Sequence, residues 1–478
     1  MGKVELDHTG SGSGITLSSD GTSLLLDGTA IGGGGGGADL YAAETTGSTD
    51  PTATGTLSLA IGSNAQSDGN QSVAIGVNAV SGLRGVSIGQ QAGNSTASGG
   101  DYNISVGFNS AYYLTTGDSN VAVGRNALQS SNLDKLTGSS NVGVGYTAGS
   151  KVASGSFNTF LGTNAGNSVT TGSNNVSIGY DSDCLASTSS QTAVGYNAQA
   201  AGTQATALTN SYASGADSFA AAIANNTSSY GATGANSIAM GYLAKATATG
   251  AMAFGDRNTA SGEDAVVFGE SNTGSGFCSF TAGRSNTNSG SRGIALGTNH
   301  TVSSFYTFAS GSTNTASESY AHAVGSKSLA NRQGKFAHAS LGFGTVGDSQ
   351  YGRMILSKAT TDATATVLTA IQGNAASSVS MPVIPSGGAQ AFSGLVVAKQ
   401  TSSANAAAWE IKGLIVNNGG TTTLVNSAIT VIDNTPSWGG PALSADDTND
   451  WLAITCTGAA ATSIRWSCTL NTSELIYA

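Results

Sequence analysis

The sequence predicts an all-β chain with two successive architectures, a parallel β-solenoid (a β-roll) with turns of about 14 residues and then an antiparallel β-sandwich. Three observations predict it. A five-residue unit of the form small, apolar, small, apolar, Gly recurs about 18 times from Ser58 onward. Before Tyr351 the recurrence stops and gives way to longer strands divided by turn residues. Only 9% of the 478 residues are charged while 39% are hydrophobic, a balance that favours a folded chain over a solvated disordered one.

Each solenoid turn follows from the unit itself. Ser72-Val-Ala-Ile-Gly76, Asn120-Val-Ala-Val-Gly124 and Ser237-Ile-Ala-Met-Gly241 alternate small and apolar side chains with the period of a strand. From Gly241 to Gly325 the closing glycines stand 14 residues apart. So short a turn cannot bury a core alone, and neighbouring turns must stack as parallel strands about 4.8 Å apart. The small face of each strand permits that approach. The apolar face, such as Val73 with Ile75 or Met252 with Phe254, requires another dry surface, which predicts self-association. Ile294 belongs to that shared surface and Asn288 to a turn. Asn258, Asn272, Asn286, His300, Asn314 and Ser328, each three residues after a glycine, form a ladder of turn residues.

Between Gly89 and Gly195 the spacing lengthens to between 16 and 21 residues. The extra residues, as in Thr116-Gly-Asp-Ser-Asn120 and Thr137-Gly-Ser-Ser-Asn141, are turn-rich and predict loops on one face. Beyond Tyr351, strands are expected around Arg353–Leu356, Gly394–Ala398, Trp409–Val416, Leu424–Ile432, Trp451–Cys456 and Ile464–Leu470, about eight in about 130 residues. Cys456 and Cys468 fall on the two arms of one apparent hairpin without facing each other, and together with Cys184 and Cys278 they are expected to be buried free thiols.

A net charge of −10 with scattered basic residues argues against nucleic acid as a partner. There is no apolar run of about 18 residues and so no expectation of membrane insertion. Met1-Gly-Lys-Val-Glu-Leu-Asp-His lacks the layout of a secretory signal.

The pattern Ser-Val-Ala-Ile-Gly-x-Asn-Ala, at Ser72–Ala79 and closely at Ser58–Ala65, resembles the head repeat of trimeric autotransporter adhesins of the YadA type, a repeat that also occurs in tail fibres of tailed phages. The resemblance covers about residues 56 to 342 and implies a left-handed parallel β-roll in a homotrimer. Residues 1 to 31 resemble N-terminal segments of marine-phage structural proteins. Ala408-Trp-Glu-Ile-Lys-Gly, with Ser444–Asp450 and Ile464-Arg-Trp, resembles C-terminal domains of phage tail fibres. Together these imply a phage tail fibre of the marine or cyanophage type. Residues 1–50 would attach it to a virion tail or adaptor protein, with Gly32–Gly37 as a linker; 51–348 would form the roll; and 349–478 would touch a host surface polysaccharide or outer-membrane protein. Such a chain is made in the host cytoplasm, resides in the virion and binds without catalysing. The other classes are a bacterial trimeric cell-surface adhesin and a surface-polysaccharide depolymerase.

Candidate residues are few. Trp438, with Asn434, Pro436 and Pro441, suggests an aromatic loop patch for receptor contact, and Asp446, Asp447 and Asp450 form the densest acidic cluster beside it. Asx-type turns are the alternative to calcium for that cluster, and a core tryptophan is the alternative for Trp438. His322 and His338 occupy apolar slots of adjacent turns, in phase with Phe308 and Val324, and are expected to point into the dry interior. Three copies of each on a threefold axis would suit a transition metal; no other cofactor is implied. Gly117-Asp-Ser119 and Gly347-Asp-Ser349 match an esterase block without its histidine, and Glu263, Asp264 and Glu270 are expected to be solvated turn acids.

Overall fold

The computed structural model describes residues 49–93, 100–221 and 230–477, together with the backbone of five short strands before them. Four of those strands, Val4–Leu6, Ile15–Ser19, Leu24–Leu26 and Thr29–Ile31, pair as an antiparallel meander. The hexaglycine lies outside the described residues. Two compact units result, Met1–Met240 and Gly241–Ala478. All described regular structure is β, a solenoid of about 20 parallel turns followed by antiparallel sheets.

In the first unit the solenoid strands include Leu59–Ile61, Val73–Ile75, Val86–Ile88 and onward, stacked parallel and in register, so that Leu59 meets Val73 and Val73 meets Val86. Each central residue is buried and its two neighbours are half-buried or exposed. The reason is room. Small side chains, mostly alanine and serine, fill the space between the two walls of a narrow coil, so most of the larger apolar side chains face outward. Glycine at each strand end is forced by the stacking: in the second unit Gly283 has φ +125°, and a methyl there would sit 1.9 Å from the Gly297 carbonyl oxygen. Where the last turn has no further turn above it, Ala339 takes this place.

The longer turns carry exposed loop residues, such as residues 132–135, Asp118 and Ser119, but their insertions do more than form loops. Part of the insertion folds back inside: Leu114, Leu128, Leu136, Val152 and Val169 are all buried, and Phe160 fills a strand position that neighbouring turns give to glycine or serine. A wider ring leaves a gap that alanine cannot close. Glycines make way for these groups, since a methyl at Gly143 would press on Leu128 and one at Gly166 on the Phe160 ring. The asparagines of those turn-rich segments are buried as well. Asn103, Asn120, Asn141, Asn158 and Asn175 form a ladder in which each side-chain oxygen accepts the backbone N–H of the next rung, at 2.7–3.1 Å.

The second unit starts with narrow turns, from Met252–Asp256 to Phe336–Ser340. Its asparagine ladder is also interior rather than a row of exposed turns: Asn258, Asn272, Asn286 and Asn314 are buried, and each Nδ2 donates to carbonyls of its own and the next turn. Asn288 is likewise buried in the coil, donating to Phe280 and Gly293 carbonyls, which corrects its expected place in a turn.

The terminal region has eight strands: β1 (Ser349–Thr360), β2 (Thr366–Val367), β3 (Gly388–Gln400), β4 (Ala406–Asn418), β5 (Thr421–Asp433), β6 (Gly440–Asp446), β7 (Trp451–Thr457) and β8 (Ile464–Ile476). One antiparallel sheet runs β1-β8-β3-β4-β5 and a second runs β2-β7-β6. Strand β1 also pairs with the last solenoid strand, Tyr351 opposite His338 and Arg353 opposite Phe336. The core between the sheets gathers Leu356, Val396, Trp409, Ile411, Leu452, Ile454, Trp466 and Leu470. Cys456 and Cys468 prove to lie in different sheets, both inside this core, and not on one hairpin. All four cysteines are free, but Cys278 is exposed rather than buried, because it occupies a left-handed corner with φ 51°. Burial pushes the Cys184 and Cys468 thiols up to about 12, which keeps them unreactive.

Candidate functional site

Trp438 is buried against the core, its ring 6.2 Å from that of Trp466, which in turn lies 5.6 Å from Trp409. It therefore offers no ring face to a ligand, and the expected aromatic surface patch does not form. The local cause is Asn434, whose side chain accepts from the Trp438 N–H at 3.0 Å and donates to its carbonyl at 2.8 Å, turning the loop inward. The acidic cluster is a set of stitches. Asp446 accepts from the N–H groups of Thr448 and Asn449; Asp447 accepts from the Thr422 N–H; Asp450 accepts from the Thr422 hydroxyl at 2.6 Å. These bonds tie the β6–β7 hairpin to the start of β5. Of the three residues, Asp447 is exposed and Asp446 and Asp450 are half-buried.

His322 and His338 are exposed on the outward face of their strands, which corrects the expectation that they enter the dry interior. The interior places in those turns belong to Ala323 and Ala337. The two imidazoles also stand in different columns, His322 between Phe308 and Phe336, His338 beyond Val324. No group of three His, Cys, Asp or Glu side chains suited to a metal occurs among the described residues.

Besides the pairing of β1 with the last solenoid strand, an ion pair joins that turn to the terminal sheet. Lys335 occupies a column that elsewhere holds Ala265, Ser279, Thr307 and Ala321. With no turn stacked beyond it, its side chain extends to Glu474 on β8, Nζ to Oε2 at 2.7 Å, both groups buried. Gln350 donates to the same oxygen and Thr472 to the other. Burial would raise the Glu474 carboxyl, but the Lys335 charge and these hydrogen bonds outweigh it and hold it below the usual range. Sequence inspection missed this pair; the one signal was a lysine in a small-residue column.

The remaining candidates are structural. Asp348 accepts three backbone N–H groups, from Phe343, Gly344 and Thr345, and is held below the usual carboxylate range chiefly by the Gly344 bond. Asp118 accepts from the Asp101 N–H, and Glu270 pairs with Arg284 at 3.6 Å.

Two surface features run along the turns instead. One is the outward apolar face, where Phe254 and Phe268 stack at 4.8 Å and Phe280 and Ile294 continue more than a third exposed. The other is a corner column in which the Arg292 guanidinium lies 5.4 Å from the Tyr306 ring and Tyr306 stacks on Tyr320 at 5.5 Å. The 14-residue phase would have found this column. Its tyrosine faces are turned to each other, so it stabilises the stack and presents ring edges to solvent.

The chain is similar to the YadA head domain repeat, matched at residues 53–79, 192–208, 232–258 and 246–271. No curated protein matches it. The matched stretches carry the narrow-coil unit, and YadA-type head repeats are found in those parts of the solenoid.

Proposed function

We propose that this chain is a subunit of a homotrimeric adhesin-type fibre, used by a tailed bacteriophage as a tail fibre that attaches the virion to its host. The observation that carries the reading is the outward apolar face. Each narrow turn is already filled by small side chains, yet sets phenylalanine, isoleucine, leucine or valine outward turn after turn, a long dry strip that matching strips in two further copies would cover. YadA-type head repeats support the same assembly. The N-terminal and C-terminal resemblances support the virion setting, with residues 1–50 toward a tail or adaptor protein. The polar solenoid exterior and the exposed end of the terminal sandwich support contact with host polysaccharide or an outer-membrane protein.

With Trp438 inside, the receptor surface within residues 349–478 reduces to exposed strands and loops such as the one bearing Asp447. A bacterial trimeric surface adhesin is the second reading, favoured by the repeat match itself. Light scattering on the purified chain is expected to give three times 46.9 kDa. Ile294→Asp is expected to shift it toward monomer, because three carboxylates would meet in a dry strip. Competition of the intact trimer with phage particles for host cells separates the two readings: competition supports the tail fibre, and its absence alongside adhesion to host tissue supports the bacterial adhesin.

A further inference from the structure

The terminal sandwich is incomplete. Its larger sheet has five strands and its covering sheet three, and what is left uncovered is β5 from Val425 onward. On β4 the core-side residues Trp409 and Ile411 are at most 2% exposed, whereas their partners in register on β5, Val431 and Ile429, are 58% and 40% exposed. The core stripe therefore runs off its lid in one step. Val425 and Ile432 are exposed beside them. The outer edge of β5 has no ladder partner among the described residues, and no charged residue occurs from Thr421 to Ile432. Two irregularities in pairing, at Ala408/Trp409 and Leu414/Ile415, bend the strand, but the charges and prolines that normally protect such an edge are missing.

A second uncovered patch lies on the opposite face of the same sheet. Ile355, Leu395 and Val397 alternate with buried Leu356 and Val396, and they are 58%, 54% and 49% exposed. Thr469 on β8 lies between Ile355 and Leu395 in register, so these side chains form one surface. That surface continues through Tyr351 and Arg353 to Phe336, at the end of the solenoid's apolar face. One chain cannot close its own two patches, since they face away from each other. A ring of identical chains can, each presenting one patch to the next.

We propose that the β5 stripe of one chain packs on the Ile355, Leu395 and Val397 patch of a second copy of the same chain. The proposal rests on the trimer reading above. The occupant is a copy of the chain because an uncharged, β-branched strand carries nothing to select a chemically different partner, while the complementary apolar patch is present in the same stoichiometry and continuous with the face already assigned to assembly.

The test uses the full chain with a photo-crosslinking benzoylphenylalanine in place of Leu395, assembled from a mixture of isotopically light and heavy chains. Mixed-isotope crosslinked peptides joining position 395 to residues 421–433 are expected. In parallel, Val431→Asp should abolish those crosslinks and expose residues 421–433 to protease, while the solenoid keeps the chain trimeric. A trimer whose crosslinks run elsewhere, or only within single chains, overturns the inference and leaves the trimer reading standing. A chain that sediments as a monomer overturns both.

Discussion

The narrow turns at 252–340 and the wide turns at 104–180 fill the same kind of interior in different ways. The narrow ones hold Ala253, Val267, Thr281, Ala295, Ala309 and Ala323 at the buried strand position, and Ala260, Asn288, Val302 and Ala316 across from it. The wide ones hold Phe160 with Leu114, Leu128, Leu136, Val152 and Val169. Both keep an asparagine ladder, but at different corners, Asn103 to Asn175 just before the strand and Asn258 to Asn314 after the glycine. The difference teaches that circumference sets side-chain size, while stacking depends only on the in-register backbone and the ladder, which are common to both.

Removing the filling of a wide turn is the largest way to test that contrast. Phe160→Ala opens a cavity between Leu128 and the two glycines against the ring, Gly149 and Gly166, and it is expected to cost about 3–5 kcal/mol, read as a fall in Tm. If Tm hardly moves, the wide interior is not the close-packed core described. The converse substitution, Ala295→Leu, puts a large side chain into a ring with no room for it. A loss of about 1–3 kcal/mol is expected from overpacking, and a gain in stability would mean that narrow turns are underfilled.

The smallest effect concerns the one rung of the ladder that is an imidazole. His300 is buried; its Nδ1 accepts from the Asn314 N–H at 3.1 Å and its Nε2 lies 3.0 Å from the Leu296 carbonyl, which fixes a neutral imidazole protonated on Nε2. Burial lowers its pKa below the ordinary value near 6.5. The folded state therefore holds fewer protons on this group than the unfolded chain does. Its contribution is complete above about pH 6.5 and fades as the pH falls toward the lowered value. Glu474, also lowered, acts in the same sense further into acid, below about pH 4.3. Thermal melts from pH 7 to 5 should show a decline that His300→Asn removes, since asparagine restores the common rung. An unchanged slope would place the acid sensitivity elsewhere.

The terminal region was legible strand by strand, because Trp409–Val416 and Ile464–Leu470 alternate strongly enough to mark a strand with one buried face. The candidate site was not. Trp438 is marked as unusual by its loop composition, but whether it faces water depends on Asn434 closing the loop and on the Trp466 ring beneath it. Serine, threonine and asparagine misled for a similar reason. They are turn residues in isolation, whereas in a stacked coil the side-chain oxygen of a ladder asparagine such as Asn120 or Asn258 accepts the N–H of the next rung, so that the residue is held inside.

The sequence by itself determined the parallel stacking, the alternation of small and apolar faces, and the glycine column up to the point where Ala339 ends it, because these are properties of a short repeat and are restated in every turn. Only the tertiary structure decided where the polar and outsized side chains go. Asn288 went into the coil, Leu128 into a widened one, Lys335 out of its end to Glu474, and His322 to the outer face. Those outcomes depend on which backbone from a neighbouring turn or sheet stands within hydrogen-bonding or van der Waals reach. That distance is set by the closed ring and its stack, and no local stretch of sequence contains it.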